Sequence, residues 1–329
     1  MKSLIDALPQ HIVEAVRIYE NTQLQPATNE IKNLVITGLG GSGIGASIVA
    51  EMLRGELKIP VVINKDYSLP SFVNKNTLMI ACSYSGNTEE TIAATEEALK
   101  KGCMIAALSS GGKLIEFAKK NKLNHFIVPG GNPPRSMLGY SLVLLFCYME
   151  HYGLANTDVA VWTKEVSELL TQEHEAANAE ALKIAAILQN KIVAVYACEG
   201  MGAIAERVRQ QLNENSKMVG WNATIPEMNH NELVGWHFEH PEIAVMVLRS
   251  SFEHPRNALR ANLNRDILLK KTPHVVEVHG KGNRPIAAAF HIIHITDLLS
   301  YHLSKMHGVD ILDIEVIDYL KDTLAANLR

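Results

Sequence analysis

The segment Cys82-Ser83-Tyr84-Ser85-Gly86-Asn87-Thr88-Glu89-Glu90-Thr91 follows an apolar run and leads into a stretch with helical spacing. At such a junction Ser83, Ser85 and Thr88 bring three hydroxyls to the amino end of a helix. The first backbone N–H groups there have no partner within the helix, and the dipole is positive. Hydroxyls and open amides together suit a phosphate monoester. The competing explanation is local: Thr88, backed by Glu89, Glu90 and Thr91, caps the helix with no ligand at all. Capping accounts for Thr88 and leaves both serines unexplained.

A second glycine-rich turn, Gly38-Leu39-Gly40-Gly41-Ser42-Gly43, has the Gly-x-Gly-x-x-Gly spacing of a dinucleotide site, and Asp66 follows at the distance of a ribose-binding acid. A glycine turn opening a helix serves any anion that needs close backbone approach, and it also serves plain strand–helix packing. Three readings therefore stay open for this turn: dinucleotide, phosphate ester or packing. Gly41 and Ser42 are the residues it would offer to a phosphate.

Both turns need strands to end on and helices to open. Apolar runs at 34–37, 61–63, 78–82, 104–108 and 125–128 read as strands, alternating with helical stretches at 44–54, 89–101, 113–120 and 135–152. Strand–helix alternation implies a parallel sheet covered on both faces. The stretch 158–189 is helical, Ala-rich and charged, with no strand signal. A strand at 192–196 then runs into Gly200 and Gly202 and a helix at 203–213, repeating the plan of the first unit. Strands at 243–248 and 274–278, with helices at 255–270 and 285–306, complete a second α/β unit; 221–226 reads as irregular. The expected organisation is an amino-terminal unit at 1–157, a helical connection at 158–190 and a carboxyl-terminal unit at 191–329, each a doubly wound parallel sheet with helices on both faces. The helix before Pro26 and the segment after Val309 are expected to pack onto this pair.

Composition sets the limits. A chain of 329 residues suits two domains of ~100–200 residues. Its 47% hydrophobic and 20% charged content is that of a globular protein. Lys+Arg 31 against Asp+Glu 35, a net charge of −4, supplies no field to hold a phosphate backbone, so no nucleic-acid partner is expected. The longest apolar stretch, 137–149, falls short of the ~20 residues that span a bilayer, and the N-terminus has no signal-peptide pattern. The expectation is a cytoplasmic protein without membrane contact. Cys82, Cys103, Cys147 and Cys198 show no C-x-x-C spacing and are read as reduced core residues.

The two turns together resemble the SIS, or sugar isomerase, domain, in which a segment like 83–88 grips the phosphate of a phosphosugar. Gly131-Asn132-Pro133-Pro134-Arg135, Leu212-Asn213-Glu214-Asn215-Ser216-Lys217 and Pro226-Glu227-Met228-Asn229-His230-Asn231-Glu232 narrow this, because they look like motifs of the bifunctional phosphoglucose/phosphomannose isomerases. The resemblance covers nearly the whole chain and implies two SIS units.

It also implies an aldose–ketose isomerisation of glucose 6-phosphate and mannose 6-phosphate to fructose 6-phosphate, a step of glycolysis and gluconeogenesis, with neither cofactor nor metal. Ring opening and proton transfer through a cis-enediolate need a base, a proton-moving group and charge stabilisation. The resemblance assigns the base to Glu214, ring opening to His230 contributed by the neighbouring subunit of a homodimer, a ring-opening or hydroxyl-contacting role to Lys305, and the enediolate oxygens to Arg135. On residue type alone Glu214 reads as a solvated acid, and Lys305 as a lysine favoured by the helix dipole. His291, His294, Leu298, His302 and Lys305 share a narrow arc of one helix, more polar than a plain core face. A metal at His291, His294 and Asp297 is the lesser reading of it. The rivals to isomerisation are a sugar-phosphate-binding regulator without catalysis, an isomerase of another phosphosugar, and a nicotinamide-dependent oxidoreductase built on Gly38, Gly40, Gly43 and Asp66.

Overall fold

A computed structural model describes residues 1–327. Two short helices open the chain, α1 (Lys2–Asp6) and α2 (Leu8–Glu20). The first sheet then builds from β1 (Asn33–Thr37), α3 (Gly40–Met52), β2 (Val61–Asn64), β3 (Thr77–Cys82), α4 (Glu89–Lys100), β4 (Met104–Ser109), α5 (Gly112–Lys120) and β5 (Asn124–Ile127). All its pairs are parallel, in the order β2-β1-β3-β4-β5. The central strands β3 and β4 are buried on both faces, as their unbroken apolar sequences require.

A 3-10 turn at Pro134–Ser136 precedes α6 (Leu138–His151), so the stretch read as one helix from 135 is two elements. Pro133 and Pro134 have no N–H to give to an α-helix, and Arg135 is held in the turn they shape. Next, α7 (Val159–Leu188) is one 30-residue helix. It is more than a connection: Trp162, Val166, Leu170, Ala181 and Leu188 are buried in the core.

The second sheet comes from β6 (Ile192–Cys198), α8 (Gly202–Ser216), β7 (Gly220–Ile225), a 3-10 turn at Glu227–His230, α9 (Glu232–Gly235), β8 (Ile243–Arg249), α10 (Pro255–Leu268) and β9 (Val275–His279). It too is all parallel, in the order β7-β6-β8-β9. The segment read as irregular is therefore a strand. Trp221, Ala223 and Ile225 alternate onto the core face while Asn222 and Thr224 face a cleft, and as an edge strand β7 tolerates that polar side. Finally α11 (Pro285–His307) and α12 (Glu315–Ala326) end the described chain.

One continuous core joins both sheets. Leu34, Ile36, Leu78 and Ile80 face it from the first, Val195, Ala197, Met246 and Leu248 from the second, with α6, α7, α8 and α11 between them. The alternate residues face outward: Val35 and Met79 pack on α4, while Ala194 and Val245 pack on α10. Long and apolar enough to cross a membrane, α11 is nevertheless mostly buried inside the protein, against α7 and α8. All four cysteines are free and buried. Burial pushes the Cys82 thiol up to about 12, which leaves it inert as a nucleophile.

Candidate active site

The two turns of the first sheet end on neighbouring strands and meet. Ser42 Oγ accepts from the Tyr84 N–H at 3.1 Å. Gly41, Ser42, Tyr84, Ser109, Pro134 and Ser141 line a recess at their junction. Within the hydroxyl loop, buried Ser83 lies 2.8 Å from Thr88 Oγ1 and accepts from the Gly86 N–H at 3.1 Å. Thr88 stands at the cap position of α4 yet makes no capping bond, so its hydroxyl serves the loop. Ser85 is exposed, and its Oγ accepts from the Asn87 N–H at 3.3 Å. Gly86 adopts φ +71°, and a Cβ there would stand 1.9 Å from the Gly111 carbonyl oxygen, so only glycine closes this turn.

Arg135 follows directly beside this loop system. The two segments pack closely: a Cβ at Gly41 would stand 3.4 Å from the Arg135 backbone nitrogen. Its buried guanidinium then reaches across to the second unit. Nε donates to Asn215 Oδ1 at 2.6 Å, Nη1 to Glu214 Oε2 at 3.3 Å, and Nη2 to the Ile311 carbonyl at 2.6 Å. Burial lowers the Arg135 pKa and Glu214 opposes that shift. Glu214 is partly open, with 30% of its side chain exposed, whereas Arg135 has 4%. The pair thus joins a partly open carboxylate to a buried cation.

The support behind Arg135 escaped the sequence reading. Arg207 donates to the Arg135 carbonyl at 3.1 Å and pairs with Asp297 at 2.7 Å; Gln211 donates to Asp297 at 2.8 Å; Asn215 donates to Ser300 Oγ at 2.9 Å. Burial raises the Asp297 pKa while Arg207 and Gln211 pull it down. With both oxygens committed to Arg207 and Gln211, Asp297 is a strut between helices, which the metal alternative had not anticipated. The signal was present as a polar stripe at 207, 211 and 215 along one face of α8.

The remaining two candidates make no hydrogen bond or ion pair with Arg135 or Glu214 among the described residues. Lys305, exposed in the last turn of α11, has its Nζ 5.6 Å from the Tyr301 ring centroid, and no hydrogen bond or ion pair joins it to Glu214 or Arg135 among the described residues. His291 and His294 of the same arc are core residues, His294 Nε2 lying 3.0 Å from His174 Nδ1. Exposed His230 ends the 3-10 turn after β7, and Glu214 lies near the end of the helix before that strand. At ~3.3 Å per residue the six residues of β7 separate the two by roughly 20 Å within one chain.

Relatives matched along nearly the whole chain decide the family. A protein of Caldicellulosiruptor bescii named bifunctional phosphoglucose/phosphomannose isomerase is 35% identical over 334 residues, 97% of both chains. The chain belongs to the bifunctional phosphoglucose/phosphomannose isomerase family. A Thermoplasma volcanium protein of the same name is 36% identical over 89% of this chain and 91% of its own. Residues 177–324, the span in which Glu214, His230 and Lys305 fall, match the family described as bacterial phospho-glucose isomerase C-terminal SIS domain. The fold is also that of the C-terminal domain of glucosamine-fructose-6-phosphate aminotransferase from Francisella tularensis, with a TM-score of 0.70 and 14% identity over 94% of this chain and 96% of that one. In this chain Arg135 and Glu214 are brought into contact, and the hydroxyl loop lies at the same edge of the first sheet as Arg135.

Proposed function

We propose that the chain interconverts glucose 6-phosphate and mannose 6-phosphate with fructose 6-phosphate, acting in the cytoplasm as a homodimer. The amino-terminal domain, 1–157, holds the phosphate through Gly41, Ser42, Ser83, Ser85 and Thr88; 158–190 connects it to the domain at 191–329. The observation that carries this reading is the contact of Arg135 with Glu214, which spans the two domains beside the hydroxyl loop.

Glu214 takes the proton from C2 of the open-chain aldose and delivers a proton to C1, the one it carries exchanging with solvent in part of the turnovers. Arg135, held on three sides, stabilises the negative charge that grows on the enediolate oxygens. Oxidation at C2 balances reduction at C1 in the same molecule, so neither nicotinamide nor metal enters the electron count. The two aldoses differ only at C2 and share one enediolate once that proton is gone. Turning about C2–C3 lets Glu214 meet either face, so dual activity needs room and no second base. His230 serves the ring-opening proton transfer. Its separation from Glu214 along β7 supports a site completed by the partner subunit, with Lys305 as the remaining hydroxyl contact.

The test is fructose 6-phosphate formation from each aldose by EDTA-treated protein, wild type beside Glu214→Gln. Activity on both sugars that the substitution abolishes is the expected result. Phosphosugar binding without turnover would favour the regulator, and turnover of neither hexose phosphate would favour another phosphosugar.

A further inference from the structure

The two sheets follow one plan: β6 corresponds to β1, β8 to β3, and α8 to α3. In the first sheet, the turn after β1 opens α3 with no side chain capping it. Its counterpart after β6 is filled. Glu51, from the last turn of α3, accepts from the N–H groups of Gly200 and Gly202 through Oε1, both at 2.9 Å, and from Ala203 through Oε2 at 2.7 Å. A carboxylate at the carboxyl end of its own helix opposes that helix's dipole, so the position of Glu51 is explained by the partner it reaches and not by α3. The approach needs glycine: a Cβ at Gly202 would stand 2.5 Å from the Thr224 methyl and 3.3 Å from Glu51 Oε1.

The second anion device of the plan is filled as well. After β3 the first sheet carries the hydroxyl loop; after β8 the chain carries Glu253, whose carboxylate accepts from the Ser250 N–H at 2.7 Å and from Arg249 Nε at 3.0 Å. Two separate carboxylates thus occupy the counterparts of the two turns that hold the phosphate in the proposed function, on which this inference rests.

We infer that the carboxyl-terminal unit keeps the anion-binding architecture of the fold and spends it on its own chain, Glu51 occupying at α8 the position a ligand oxyanion takes at α3. The amino-terminal turns are then the pair left open to a ligand anion. The contact is also a latch between the units, because α3 and α8 run antiparallel. Gly41 and Arg135 lie at one end of the pair, near Glu214, and Glu51 closes the other end. Acids at the mouth do not bar an anion, since Glu199 is paired with Arg54 and Glu206 with Lys65.

Glu51→Ala removes a group the size of acetate and leaves the three amides facing a void. The expected result is a Tm lower by roughly 5 °C in chloride, restored in part by acetate at matched ionic strength, with wild type under the same two salts as the baseline. Glu51→Gln keeps an acceptor for the amides and still fills the space, so it loses less stability and does not respond to acetate. If the alanine variant folds too poorly to melt, the yield of folded protein on refolding in acetate against chloride is the readout, with acetate expected to raise it. An alanine variant as stable as wild type, no advantage of acetate over chloride in Tm or yield, or an equal acetate response from the glutamine variant overturns the inference.

Discussion

Replacing Arg135 by lysine keeps the charge and removes the fork. The guanidinium serves Asn215, Glu214 and Ile311 in three directions, and an ammonium on a flexible stem reaches one of them. If it follows the charge to Glu214, Asn215 Oδ1 and the Ile311 carbonyl lose their donor. Each acceptor left unsatisfied in a buried setting costs about 1–2 kcal/mol, giving about 2–4 kcal/mol in all. For a chain of this size that is a Tm lower by roughly 3–6 °C by scanning calorimetry. Glu214 also loses its fixed place, and a shift on the order of 1 Å costs roughly 100-fold in rate. Because Ser83, Ser85 and Thr88 are untouched, the loss falls on kcat for fructose 6-phosphate formation and leaves KM near its wild-type value. A lysine variant with wild-type Tm and kcat, or one whose KM rises while kcat holds, refutes the three-way hold.

Three further outcomes follow from the same geometry. Burial lowers the His294 pKa to about 4 from an ordinary 6.5, so the unfolded chain takes up that proton first as pH falls. The stability is therefore complete above pH 6.5 and drains between 6.5 and 4, by about 3 kcal/mol at most for this one group; His294→Leu should flatten the urea-denaturation profile over that window, and an unchanged slope counts against it. Gly86→Ala forces a Cβ against the Gly111 carbonyl at positive φ, which should cost about 2 kcal/mol or more and raise KM, checked by melting and steady-state kinetics. Mixing inactive Glu214→Gln chains with inactive His230→Asn chains should restore about a quarter of wild-type activity, since random association makes half the dimers mixed and each mixed dimer has one intact site; no recovery places His230 in its own subunit's site.

Local signals were readable from sequence, and contacts between distant segments were not. The alternation of apolar runs and helical spacing revealed both parallel sheets, because strands buried on both faces must be apolar throughout, as in Thr77–Cys82. The hydroxyl loop was visible since its residues are contiguous. At β7 the reading failed because Asn222 and Thr224 interrupt the apolar pattern on an edge strand whose polar side faces a cleft. The struts behind Arg135 unite positions 90 residues apart, Arg207 with Asp297, and Glu51 meets Ala203 across 152. Pairings of that separation carry no periodicity. Only resemblance lifted Glu214 above a solvated acid; its place beside buried Arg135 supplies a physical reason to prefer it.

The most direct measurement of the central claim is proton NMR of fructose 6-phosphate incubated with the protein in deuterated water. Proton transfer by Glu214 through an enediolate predicts that both glucose 6-phosphate and mannose 6-phosphate form, carrying solvent deuterium at C2, and that Glu214→Gln stops formation and labelling together. Isomerisation with no solvent label in either product, or labelling that survives the substitution, would contradict it.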